Sequence, residues 1–257
     1  MSVEAVERAF LKIGSRVEVT GQDSIGFRNR PFSLDILRDK DGEYFKIRAR
    51  YDVSLQVLQV AAKDRHLLLH VAEGKNKSKF LCGQDERHWF VAAIPENEPV
   101  RTVEEAKDAL RPKELVKDGN WIRQGEWFFI PRPDFHLPKN TPTTHDEPLM
   151  RRTSDGRGGK PHIATEAAQF GGDAVYVNRR IAPQGFNEAQ YKAWCLENPK
   201  KIASTNFQGM VRNAAVFVRG EIRHPDHKTL KLGNVWHEVK MNRESESRAM
   251  ASMVFLD

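Results

Sequence analysis

Residues Arg65–Ile94, RHLLLHVAEGKNKSKFLCGQDERHWFVAAI, decide how the first half of this chain folds. Three runs of apolar, β-branched and aromatic residues are separated by short polar stretches carrying Gly74 and Gly83. Runs of that length bounded by turn formers read as three consecutive antiparallel strands. Successive strand side chains point to opposite faces, so Leu67, Leu69 and Val71 share one face and His66, Leu68 and His70 the other. A turn at Glu73–Lys77 would set residue 70 opposite 80 and residue 68 opposite Cys82. A five-residue turn at Gly83–Arg87 would then set Cys82 across from His88. In that register His66, His70, Cys82 and His88 share one face.

Two chemistries suit such a face. Cys82 beside His88 makes a thiolate–imidazolium pair, with Asp85 in the turn to orient the imidazole. Three imidazoles and a thiolate (His66, His70, Cys82 and His88) also make a zinc set. The plainer reading makes Cys82 a small buried hydrophobe and leaves the histidines along a half-exposed sheet. Everything turns on register, because a one-residue slip moves every side chain to the opposite face.

Working outward, Val3, Val6, Phe10 and Ile13 recur at helical spacing, with Ser2 ahead of them and Gly14 behind, which predicts a helix over 2–13. Strands are expected at Arg16–Thr20, Phe32–Leu37, Glu43–Ala49 and Leu55–Val60, the middle pair joined at Asp41-Gly42. Thr102 and Glu105 form a capping box that opens a helix over 102–111, ended by Pro112. Trp121–Pro131 reads as a strand or hairpin around Gly125. Pro131, Pro133, Pro138, Pro142 and Pro148, followed by RRTSDGRGG at Arg151–Gly159, make 131–160 a long irregular connection. Beyond it come a strand at Asp173–Asn178, a helix over 187–197, strands at Ala215–Arg223, Lys228–Leu232 and Val235–Met241, and an edge strand at Met253–Leu256. The fold class is therefore α+β, mainly antiparallel sheet with about three helices. An N-terminal α+β domain over 1–116 and a β-rich one over 117–257 are expected.

The chain has 257 residues, with 41 Lys+Arg against 35 Asp+Glu, a formal charge of +6. It lacks an apolar run near the ~20 residues that span a bilayer, and it opens without the basic and apolar blocks of a secretory signal. Two cysteines are too few for a disulfide framework. These features point to a cytoplasmic protein with reduced thiols and no membrane partner.

Arg151, Arg152, Arg157 and Lys160, spaced by glycines, form the densest cationic segment. Arginine forks suit phosphate, and Trp121, Trp127, Phe128 and Phe129 would supply stacking surface if exposed. The leading functional expectation is a basic protein that binds RNA or single-stranded DNA through that loop. One alternative is a hydrolase or nuclease using the Cys/His or zinc site on the 65–94 sheet. Another is a non-catalytic module that binds a protein partner through the aromatics near 121–130. His224, Asp226 and His227, in RHPDH, form a further candidate metal set if a distant loop such as that carrying His162 helps. His237 would lie about 10 Å from that turn along the hairpin and reads as a hydrogen-bonded core histidine.

Overall fold

A computed structural model describes residues 2–21, 31–149 and 160–246. In chain order the elements are α1 (Val3–Lys12), β1 (Arg16–Gly21), β2 (Phe32–Asp39), β3 (Gly42–Ala49), β4 (Val53–Ala61), β5 (His66–Glu73), β6 (Asn76–Asp85) and β7 (His88–Ala93). Then follow α2 (Val103–Leu110), β8 (Ile122–Gln124), β9 (Trp127–Pro131), β10 (Thr143–Leu149), β11 (His162–Phe170), β12 (Asp173–Asn178) and β13 (Ala182–Phe186). The series ends with α3 (Glu188–Glu197), β14 (Gln208–Arg212), β15 (Ala215–His224) and β16 (His227–Met241). The protein is an α+β fold built mostly of antiparallel sheet; among the described residues the β1–β3 pair is the parallel exception.

The sheet of β4–β5–β6–β7 is a simple meander covered on both faces. On one side Leu67, Leu69, Phe80 and Cys82 pack with Phe10 and Ile13 of α1 and with Leu34, Phe45 and Ile47 of the β1–β3–β2 sheet. On the other, Leu68, Leu81 and Ala92 pack with Val103, Ala106 and Leu110 of α2. This explains the unbroken Leu67-Leu68-Leu69 run, all three fully buried: both faces of the strand are covered there. Both capping boxes are formed, Thr102 with Glu105 at α2 and Asn187 with Gln190 at α3.

The meander's register differs from the expected one. Its turns are two-residue turns, Gly74-Lys75 and Glu86-Arg87, so Glu73 pairs with Asn76 and Asp85 with His88. Cys82 thereby pairs with Leu67 and Val91 and joins the leucine face, while His66 and His70 stay on the α2 face. Strand pairing continues through the residues expected to form wide turns, and that shift reverses the parity of the whole return strand.

The C-terminal residues form a six-stranded sheet, β10–β11–β15–β16–β9–β8, around Phe129, Ala164, Val218 and Ile222. A small β13–β12–β14 sheet with α3 is inserted between β11 and β15. The expected turn at Gly233-Asn234 is absent. β16 runs unbroken over fifteen residues and absorbs Gly233 (φ +70) as a bulge opposite Gly220. The proline-rich connection contains β10, an edge strand, where Pro148 omits no ladder bond inside the sheet. Met253–Leu256 lies outside the described residues.

This register makes a prediction. A thiol reagent applied to native protein should modify the half-exposed Cys195 and spare the buried Cys82, with a second equivalent consumed only in denaturant. Rapid native labelling of Cys82, located by peptide mapping, would refute the register.

Candidate metal centre

The tip of the β15–β16 hairpin is His224-Pro225-Asp226-His227, a two-residue Pro-Asp turn that pairs His224 directly with His227. β11 lies alongside β15 with Ile163 opposite Arg223, which brings His162, the first residue of β11, beside the same tip. Ring centroids are 4.3 Å apart for His162 and His224, 5.4 Å for His162 and His227, and 4.7 Å for His224 and His227. One ligand nitrogen from each ring falls within 4.8 Å of the other two. Among the described residues this is the group of histidine, cysteine and carboxylate side chains that meets a metal-ligand geometry.

His162 is the unusual member. It is 2% exposed and neither ring nitrogen has a hydrogen-bond partner. A buried polar atom left without a partner costs about 1–3 kcal/mol, so such atoms are rare. Burial, and then the neighbouring His224 and His227, push the His162 pKa down to about 3, so the ring is neutral at pH 7 with a lone pair available. His227 Nδ1 is likewise buried without a hydrogen bond. His224 is better satisfied: its Nδ1 accepts from the Asp226 amide at 3.1 Å, so Nε2 carries the proton and donates to the Lys160 carbonyl at 2.9 Å. Its pKa also falls, through burial first.

Gly125, in the β8–β9 turn at φ +56, closes in from the side. A Cβ there would lie 3.4 Å from His162 Cε1 and 3.5 Å from His227 Nε2. The glycine leaves room beside the nitrogens that a side chain would fill.

Charged groups ring the cluster. Lys160 Nζ lies 3.2 Å from both Asp226 oxygens. Burial raises the Asp226 pKa, but the Lys160 contact and nearby positive charge outweigh it and hold the carboxyl below its usual value. From the meander, Glu86 Oε1 lies 3.8 Å from His227 Nδ1, while Glu86 Oε2 accepts the Lys228 amide at 2.9 Å. His88 Nδ1 donates to Glu43 Oε1 at 2.7 Å and turns Nε2 toward Asp226 Oδ1, 3.8 Å away.

The sheet face of the expected Cys/His site is not assembled. Cys82 is fully buried in the leucine core, and burial pushes its thiol pKa up, opposite to what a nucleophile needs. His66 rests on Phe90 with ring centroids 5.5 Å apart, bonds the Asp64 carbonyl through Nδ1, and has its pKa lowered by burial and then by Lys107. His70 has its pKa lowered by burial and by Lys79. His88 is oriented by Glu43, whereas the Asp85 carboxylate lies 3.9 Å from the Arg123 guanidinium. Of the second set, His224 and His227 meet His162, and Asp226 stands at the rim. His237 is buried, its Nδ1 bonded to the Val235 carbonyl at 2.8 Å. Trp127, Phe128 and Phe129 are buried and offer no stacking platform. Arg151, Arg152 and Arg157 lie outside the described residues. Glu86 and Glu43, remote in sequence from the histidines they face, carry no local signal that would have found them.

No protein-family model, no curated protein and no solved structure matches the chain.

The depressed His162 pKa sets a stability limit with a definite sign. Its folded value, about 3, lies below the unfolded value near 6.5, so the unfolded chain binds the proton first. Metal-free protein should hold its full stability above pH 6.5 and lose about 1.4 kcal/mol per pH unit below it, with His224 adding in the same direction. Urea unfolding from pH 7 to pH 4 measures this, and His162→Leu should flatten the acid limb. An unchanged limb would contradict the buried neutral ring.

Proposed function

We propose that this protein holds one divalent transition-metal ion, zinc by ligand chemistry, on His162, His224 and His227, and uses it as a hydrolase or nuclease centre. The observation that carries the reading is His162, a buried neutral imidazole whose nitrogens lack partners beside two further imidazoles. Imidazole suits zinc and its neighbours in the first transition row, and neutral rings need lose no proton before binding. The 4.8 Å ligand spread exceeds the ~3.4 Å edge of a tetrahedron with 2.1 Å bonds, so an ion would draw the rings inward. His224 does this at least cost through Nδ1, which gives up the Asp226 amide but keeps the Nε2–H bond to Lys160. That arrangement, with the far nitrogen donating to a carbonyl, is the usual support for a ligating histidine.

Three protein ligands leave a fourth position for water or substrate, as catalytic zinc sites do. Gly125 borders that space. A divalent ion there would act as a Lewis acid on a carbonyl or phosphoryl oxygen.

Association with nucleic acid is the companion reading, and one observation supports it. Lys160, the last residue of the cationic segment, binds the centre's rim through its ammonium and its carbonyl. The arginines at 151, 152 and 157 precede Lys160 in the sequence. Two free cysteines fit a reducing, cytoplasmic setting.

Chelator-stripped protein should take up one equivalent of Zn²⁺ or Co²⁺ by calorimetry, with His162→Ala and His227→Ala each abolishing it. No stoichiometric uptake would sink the metal reading. Separately, binding to generic single-stranded DNA or RNA should fall steeply as salt rises from 50 to 200 mM. Absence of binding at the lower salt would remove nucleic acid as a partner.

A further inference from the structure

The three imidazoles all come from the C-terminal sheet, yet the group that faces the back of His227 comes from the N-terminal meander. Glu86 stands in the β6–β7 turn, where its backbone takes a left-handed φ of +47. One of its carboxylate oxygens is fixed by the Lys228 amide, the residue after His227, and the other faces His227 Nδ1 at 3.8 Å. On the opposite side of the ring, Nε2 lies 3.5 Å from where a Cβ on Gly125 would stand. His227 is thus flanked by a carboxylate behind and the imidazole cluster in front.

We infer that Glu86 is the positioning residue of the proposed metal centre: it accepts the Nδ1 proton of His227, fixes the tautomer whose Nε2 lone pair faces the ion, and ties metal affinity to the docking of the meander. The inference rests on the metal reading above. A ligating histidine ordinarily donates its second N–H to a carboxylate or carbonyl, and losing that partner weakens metal affinity 10–100-fold. His224 already has such a partner in the Lys160 carbonyl. His227 Nδ1 has no hydrogen bond, and the Glu86 carboxylate oxygen stands 3.8 Å away. A turn of the His227 ring within its own plane, or of the Glu86 carboxylate about its anchored oxygen, closes this separation. Because the Lys228 amide holds Oε2, the adjustment falls on the His227 ring and on Oε1.

Glu86→Gln separates positioning from folding, since a glutamine carbonyl still accepts the Lys228 amide while the negative charge behind His227 is gone. The experiment is a Co²⁺ titration of full-length wild-type protein, Glu86→Gln and Glu86→Asp, followed by visible absorption. It is paired with ¹⁵N–¹H correlation spectra that report the His227 tautomer without and with metal. The expected result is 10–100-fold weaker Co²⁺ binding in Glu86→Gln, recovery toward wild type in Glu86→Asp, unchanged circular dichroism, and loss of the single Nδ1–H tautomer. Wild-type binding of Co²⁺ with equal affinity and tautomer in Glu86→Gln would overturn the positioning role while leaving the centre intact. Failure of the wild-type protein to bind Co²⁺ would overturn the centre, and the inference with it.

Discussion

Burial on both faces of the β4–β7 meander is the constraint from which the rest follows. Leu67 and Leu69 fill one core and Leu68 the other, so a one-residue slip would trade them between two differently shaped cores. α1 and the β1–β3–β2 sheet clamp one side and α2 the other. Each buried leucine contributes about 1.5–3 kcal/mol, so misplacing all three would cost about 4.5–9 kcal/mol, comparable with a domain's typical net stability of about 5–15 kcal/mol. The fixed register sets where the β6–β7 turn ends, and that turn carries Glu86 to the Lys228 amide and His227.

The histidine cluster has the opposite character. Nothing in the fold needs it: the hairpin tip could turn on Pro225-Asp226 with other flanking residues, and β11 could begin on an apolar side chain. The sequence instead places an imidazole where both nitrogens are deprived of partners. A leucine of similar volume would relieve that cost, as apolar replacement of buried polar groups often does. A side chain that burdens the fold, set against two more of its kind with a glycine keeping the adjoining space clear, is what a ligand site requires of its surroundings.

Much of the fold was legible in the sequence because its signals are local. The first two helices announced themselves through Val6, Phe10 and Ile13, and through the capping box of Thr102 with Glu105. β14, exposed at every position, and Ala-rich β11 have no clear alternation to read. Gly233 resembled a turn because the same positive φ serves a bulge in a continuous strand. The Cys82 site failed on parity alone: shortening two turns left every strand in place and reversed the face of one. For the C-terminal set the hairpin pairing of Ile222 with Leu230 was readable from matching apolar faces. What brings His162 to His224, and Glu86 to His227, is packing between strands distant in sequence, which no local pattern encodes.

The charge distribution bears on how the basic balance should be weighed. Many arginines are committed to carboxylates within the fold: Arg16 to Asp39, Arg50 to Asp52, Arg132 to Glu238, Arg219 to Glu166, and Arg243 to Glu98 and Glu246. Lys160 is committed too, to Asp226. Such pairs cancel locally, so the formal excess of six does not translate into a field of six charges at any one surface. A polyanion approaching the centre would compete with Asp226 for Lys160, exchanging one carboxylate contact for a phosphate contact. An ion on the three imidazoles would displace only the Asp226 amide from His224, because the lone pair of His162 is engaged by nothing else. On the proposed metal reading, a phosphate approaching the centre would depend on the ion more than on the surrounding cations, which are already paired.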